Sequence, residues 1–181
     1  MKRGSQYSWR EGRPSGERQE LDYSTEGIEH ICAMGVEEVA AADAHLFLWT
    51  TGALLEQSFE VVRRWGFRYS QTLVWCKEPH GWGPGGVFQA TAEFVLYARR
   101  GQPWPSNAST IARQWWAWPR GEHSAKPEAF YDMLDAHFPM PRLELFARRG
   151  RLGWEYAGNQ ALATVEVRGV DNGWVPEEAA A

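Results

Sequence analysis

The sequence predicts an α/β fold built on an open sheet, and three observations carry that prediction. Short apolar runs with strand character recur at Ala44–Trp49, Tyr69–Trp75, Phe94–Tyr97 and Arg142–Phe146. Two stretches between them, Ala53–Trp65 and Pro127–Phe138, space their apolar residues at helical intervals, the mark of a helix with one buried face. Glycine and proline punctuate the chain between these segments, most densely over His80–Gly86. Strands alternating with helices favour a sheet covered by helices. Such sheets take ligands at the carboxyl ends of their strands. The loops after Trp49, Lys77 and Phe146 are therefore where function is expected.

The elements follow in order. Residues 1 to about 20 are polar and contain Gly4, Gly12, Pro14 and Gly16, so a polar arm or loop is expected. A short helix is predicted from Ser24 to Ile31, with Ser24 or Thr25 as its cap. Leu46, Phe47 and Leu48 belong to a compact buried strand. Leu55, Phe59 and Val62 share one helical face, and Gly66 follows as a stop. Leu73, Val74 and Trp75 mark a second strand, His80–Gly86 a loop, and Phe94–Tyr97 a third strand. Pro103–Arg120 is aromatic, with Trp115, Trp116 and Trp118, and reads as irregular. Pro127 opens a helix whose apolar face is Phe130, Met133, Leu134 and Phe138. Arg142–Phe146 is the fourth strand. Beyond Gln160 the patterning weakens. One domain over about 21–165 is expected, with a weakly structured tail over 166–181.

Composition bounds the reading. The 181 residues are 44% hydrophobic, enough for one core. Eleven tryptophans supply flat surfaces for a core or for a planar ligand. The net charge of −4 makes no global case for nucleic-acid binding. Yet Arg99–Arg151 holds nine Arg or Lys against five Asp or Glu, a local +4 that leaves −8 elsewhere. One basic face suffices to meet a phosphate backbone. The two cysteines, Cys32 and Cys76, form neither a zinc pattern nor a disulfide framework, so an intracellular, cytoplasmic setting is expected. No apolar run reaches the roughly 18 residues of a membrane span, and Met1–Gln6 has no signal-peptide character.

Several residues have the chemistry of a site. Phe146–Arg151 follows a strand directly, and its three arginines suit an anion, a ribose or a carboxylate as well as a solvated loop. Asn159–Gln160 offers paired amides, fit for ribose hydroxyls, an adenine edge or a plain turn. Lys126 precedes a helix start, where an anion is favoured; the alternative is a capping segment with Ser124 as the cap. Lys77 ends a strand at the ligand edge and Glu93 opens the next, so they contact substrate or pair with each other. His45, inside an apolar run, reads as a core histidine.

Taken in order, a set of motifs resembles the MT-A70 family. It comprises Leu46–Thr51, Trp65-Gly66-Phe67-Arg68-Tyr69, Leu73-Val74-Trp75-Cys76-Lys77, Ala92-Glu93-Phe94 with Gly101, His123–Pro127, Leu143–Arg148, and Gly153-Trp154 with Gly158-Asn159-Gln160. The resemblance covers about residues 22–160. It implies a Rossmann-like class I methyltransferase sheet in permuted order, with S-adenosyl-L-methionine as cofactor. It implies DNA or RNA bearing a target adenine as substrate and partner; a homo- or hetero-oligomer is open, and no residue pattern in the sequence suggests a metal. By resemblance, Lys126 meets the methionine carboxylate. Arg148, Asn159 and Gln160 contact the ribose and its surroundings, and Phe146 belongs to the same cofactor loop. Trp75, Lys77 and Glu93 fall on the substrate side. Tyr23 matches an aromatic near the target adenine, although Glu26 and Gly27 stand where the family has Met and Ser.

One departure is larger. The family carries a strand ending in Asp-Pro-Pro-Trp, whose Asp side chain and Pro carbonyl accept the hydrogens of the adenine amine as its nitrogen becomes tetrahedral. No Asp-Pro-Pro-Trp occurs in this sequence, and Gln6-Tyr7-Ser8-Trp9 keeps only the Trp. Two readings follow. Either the chain starts downstream of the motif and lacks one N-terminal strand, or it is a degenerate, catalytically inactive member that binds nucleic acid or a partner subunit. No catalytic residue is identifiable on either reading.

Overall fold

The computed structural model describes residues 27–78, 88–104, 111, 113–121 and 125–172. Its elements are α1 (Ile28–Ala33), α2 (Val36–Val39), β1 (Ala44–Thr50), α3 (Leu55–Arg64), β2 (Arg68–Glu78), β3 (Ala92–Arg100), β4 (Trp115–Pro119), α4 (Glu128–His137), β5 (Leu143–Leu145) and β6 (Glu155–Ala157). The strands form a four-stranded sheet in the order β1-β3-β2-β4 and a separate parallel pair, β5-β6. β3 runs antiparallel to both β1 and β2, whereas β2 and β4 are parallel. The architecture is thus mixed α/β.

Alternation along the strands gives the sheet two apolar faces. Leu46, Leu48, Leu96 and Ala98 face α3, whose Val61 and Val62 are 2% and 1% exposed. Phe47, Trp49, Val95 and Tyr97 face α4 through Phe130 and Leu134. Burying side chains of this size contributes about 1.5–3 kcal/mol each. α3 stops where Gly66 takes φ 77° and its N–H reaches the Arg63 carbonyl, a left-handed turn that glycine adopts without strain. The Trp65 indole donates to the Ile31 carbonyl at 2.8 Å and ties α3 to α1.

The described residues differ from the sequence expectations at several points. The segment read as irregular contains β4, in which Trp116 and Trp118 turn inward and Trp115, Ala117 and Pro119 outward; three tryptophans in four residues mask a period of two. The first helix begins at Ile28 rather than at Ser24, and Ser24–Glu26 lie outside the described residues, as do His80–Gly86 and Ser124. Pro127 caps α4 instead of opening it. Past Gln160 the described residues form no helix or strand, yet Val167 is 4% exposed against the α3-side core. The neighbouring Arg168 carbonyl accepts from Gly35 N–H at 2.8 Å.

Candidate functional site

β1, β2 and β4 point the same way and β3 opposes them, so three carboxyl ends and the start of β3 share one edge. There the register sets Thr50 opposite Phe94, Trp75 opposite Glu93 and beside Trp116, and Lys77 beside Trp118. Glu93 lies between two ammonium groups. Its Oε1 is 2.5 Å from Lys77 Nζ and its Oε2 is 2.8 Å from Lys126 Nζ. All three side chains are mostly buried, Glu93 at 14% exposure. Lys126 Nζ sits 4.8 Å from the Trp49 ring centroid, and Lys77 Nζ sits 5.5 Å from that of Trp75. Trp49 meets Trp75 edge to face at 5.9 Å. The Trp75 indole is held by donation to the Trp118 carbonyl at 2.9 Å.

Burial pushes the Glu93 carboxyl toward protonation, but Lys126 and then Lys77 outweigh it and hold the group below its ordinary pKa. With Glu93 ionised, two cations and one anion leave a formal surplus of one positive charge on an indole floor. That surplus fits one incoming carboxylate.

A second group of candidates gathers where β5 and β6 end. Phe146 has φ 59°, a left-handed conformation costly for a bulky residue, and its N–H donates to the Ala157 carbonyl at 2.6 Å. Gly158 permits this approach: a Cβ there would lie 2.8 Å from Ala147 N and 2.9 Å from Phe146 Cα. The result is a half-exposed Phe146 ring at the strand end. Arg148 Nε donates to Gln160 Oε1 at 2.8 Å, and Asn159 Nδ2 reaches Asp171 Oδ2 at 3.4 Å. The other two arginines turn toward α4. Arg149 pairs with Glu128. Arg151 binds Asp135 at 2.7 Å, Asp132 at 2.6 Å and Glu128 at 3.0 Å. Asp135 also accepts from the Trp154 indole at 2.9 Å. Burial raises its pKa, but Arg151 foremost brings it below the ordinary value. Behind this loop Tyr131 donates to Glu144 at 2.7 Å, and burial pushes both groups upward.

The structure thus brings Trp75, Lys77, Glu93 and Lys126 into one cluster. It places Phe146, Arg148, Asn159 and Gln160 along the β5 and β6 ends. Tyr23 lies outside the described residues. His45 is half-buried, its Nδ1 3.0 Å from the Tyr97 hydroxyl, and desolvation lowers its pKa. Trp49 and Trp118 adjoin the Lys77–Glu93–Lys126 cluster without having been singled out as candidates from the sequence. The alternation of Trp116 and Trp118 was the available signal. Among the described residues no His, Cys, Asp and Glu cluster suits a metal ion, and no helix is long and apolar enough to cross a membrane.

A mixed α/β sheet thus carries lysines, a carboxylate and indoles at its strand ends, and the ends of β5 and β6 carry an amide–arginine pair. The MT-A70 family model matches residues 8–160, and the chain belongs to that family. It is 36% identical over 139 residues to the Type II methyltransferase M.MunI of a Mycoplasma species, covering 75% of this chain and 58% of that protein. It is 30% identical over 153 residues to an Arabidopsis thaliana protein named N(6)-adenosine-methyltransferase MT-A70-like, covering 78% of this chain and 22% of that one. A probable N(6)-adenosine-methyltransferase MT-A70-like of Oryza sativa subsp. japonica is 29% identical over 166 residues, 85% of this chain and 22% of the relative. The chain therefore spans just over half of the bacterial relative and about a fifth of the plant ones.

Proposed function

We propose that this chain is the ligand-binding body of an S-adenosyl-L-methionine-dependent methyltransferase that modifies the N6 amine of adenine in DNA or RNA. The observation that carries the reading is the Lys77–Glu93–Lys126 cluster on its indole floor. Family membership and the names of the relatives support the chemistry. The donor set fits the cofactor. Lys126 would hold its carboxylate, answering the surplus positive charge. Arg148, Gln160 and Asn159 would hold ribose hydroxyls, and Phe146 would cover apolar surface. Bound there, S-adenosyl-L-methionine supplies a methyl group made electrophilic by its sulfonium. The residues' own work is orientation and exclusion of water. Lys77, Glu93 and Trp75 would line the base side, to which the family resemblance adds Tyr23.

No acid of the Asp-Pro-Pro-Trp kind stands in this sequence, and the sheet division bears on that. β1 and β5 both feed the α3-side core, through Leu46 and Leu48 on one and Leu143 and Leu145 on the other. Yet they belong to separate sheets. In this reading a strand ending in the motif lies between them and joins the two into one Rossmann-like sheet. Supplying such a segment upstream should give transfer of labelled methyl from cofactor to adenine. Failure on every nucleic acid tried would defeat the proposal. The missing motif also favours a second reading, a non-catalytic module that binds nucleic acid or a partner subunit. Salt-sensitive nucleic-acid binding with no heat of S-adenosyl-L-methionine binding would select it.

A further inference from the structure

We propose that Asn172 is a positioning residue for the ribose end of the cofactor, because its side chain fixes the turn that carries Asn159 and Gln160. The inference rests on the function proposed above. It adds a segment that leaves the site and returns to it. After Gln160 the chain runs back along β6. There the Tyr156 carbonyl accepts from Thr164 N–H at 2.9 Å, and Thr164 Oγ1 accepts from Tyr156 N–H at 2.8 Å. The chain then crosses to α1 and α2, where Val167 is buried with Val165 and Val170 beside it. The Arg168 guanidinium donates to the Ala33 carbonyl at 3.0 Å and pairs with Glu38 at 2.7 Å. Val170 N–H donates to the Val167 carbonyl at 3.0 Å, a turn that sends the chain back toward β6. Asn172 ends this path half-buried. Its Oδ1 accepts from Gly158 N–H at 2.9 Å, and its Nδ2 reaches the Val165 carbonyl at 3.4 Å.

The peptide group joining Ala157 to Gly158 is held at both ends. Its carbonyl accepts from Phe146 N–H at 2.6 Å, and its N–H donates to Asn172. In a planar trans peptide these two groups point in opposite directions. The β5 loop therefore grips one side of the turn and Asn172 the other, and the peptide plane cannot flip. The side chains of Asn159 and Gln160 leave that plane in a set direction. The neighbouring Asp171 adds to the control, since its Oδ2 accepts from Asn159 Nδ2 at 3.4 Å. Gly158 is the residue at which such a grip matters most. Its φ of 154° and its close approach to Phe146 and Ala147 exclude a side chain. A glycine left without its partner has wide conformational freedom. Groups that must meet a ligand in one geometry need a supporting layer of hydrogen bonds of this kind.

The test is calorimetric titration of the full chain with S-adenosyl-L-homocysteine and with its dideoxyribose analogue, which lacks both ribose hydroxyls. Asn172→Ala should weaken S-adenosyl-L-homocysteine about 10-fold, the worth of misaligned hydrogen bonds to those hydroxyls. The analogue should lose less than about 2-fold, because it lacks the groups that Asn159 and Gln160 would meet. Asn172→Asp keeps the Oδ1 acceptor and should bring the affinity back to within about 3-fold of the unaltered chain. Unchanged S-adenosyl-L-homocysteine affinity in Asn172→Ala would overturn the assignment. An equal loss for both ligands would also overturn it, since Asn172 would then only support the fold, and so would a loss that Asn172→Asp fails to repair. A measurement on the unaltered chain needs no variant to fold. At saturation, S-adenosyl-L-homocysteine should slow exchange of the Gly158 amide hydrogen more than the analogue does, and equal protection by both sinks the coupling. If the unaltered chain binds neither ligand, the cofactor reading proposed above fails and takes this assignment with it. Binding of both ligands with no effect of either variant defeats the assignment alone.

Discussion

Substituting Glu93→Gln tests the cluster on which the functional reading turns. Glu93 gives one oxygen to each lysine, at 2.5 and 2.8 Å. A carboxamide keeps one acceptor, carries no charge, and leaves two ammonium groups facing each other. Breaking a fully buried ion pair costs about 3–5 kcal/mol. Here the lysine side chains are 19% and 27% exposed, so hydration recovers part, and about 2–3 kcal/mol is expected. In a domain of this size that lowers Tm by about 4–12 °C. Circular dichroism melts at neutral pH measure it. The pH dependence gives a second readout. The folded pKa of Glu93 is below its unfolded value, so its contribution is full above about pH 5 and is lost as pH falls through the folded value. Melts of the parent chain should therefore approach those of Glu93→Gln on acidification. Adding Lys126→Met to Glu93→Gln removes an orphaned cation and should restore part of the loss, with a coupling of about 1 kcal/mol or more. Additive effects, or a Tm within about 1 °C of the parent at neutral pH, would refute the electrostatic argument.

The other predictions address Lys126 of the same cluster, the loop after β5 and the core. Lys126→Met should weaken S-adenosyl-L-methionine binding about 10- to 100-fold by calorimetry, the worth of one charge-assisted hydrogen bond. Gly158→Ala places a methyl 2.8 Å from Ala147 N at a φ of 154°, so a Tm loss and a displaced Phe146 loop are expected; an unchanged melt would mean the backbone yields freely. Arg151→Met frees the loop from Asp132 and Asp135 on α4, and hydrogen exchange should accelerate over 146–151 while α3 keeps its protection. Leu96→Ala, at a side chain with no exposure, should cost about 2–5 kcal/mol in denaturant unfolding.

What the sequence disclosed, and what it withheld, follows the range of the forces involved. α3 and α4 were legible because a helical face is written in residues three and four apart. Lys77, Glu93 and Lys126 were legible as chemistry, yet nothing local says that one carboxylate serves both lysines. That depends on the β2–β3 register and on a contact 33 residues long. The arginines show the same limit more sharply. Phe146–Arg151 presents three of them with no local mark of rank. Their sorting is instead written on α4, where Glu128, Asp132 and Asp135 occupy one helical face by their spacing and draw in Arg149 and Arg151. Arg148 points instead to Gln160. The acidic stripe thus acts at a distance on the loop over Phe146–Arg151. It removes two competing cations from the strand end and pins the loop that carries the third. If the proposed function holds, a site with one arginine directed to Gln160 and one surplus lysine charge would discriminate between ligands by where they carry negative charge, and that selectivity would be set as much by α4 as by the residues that touch the ligand.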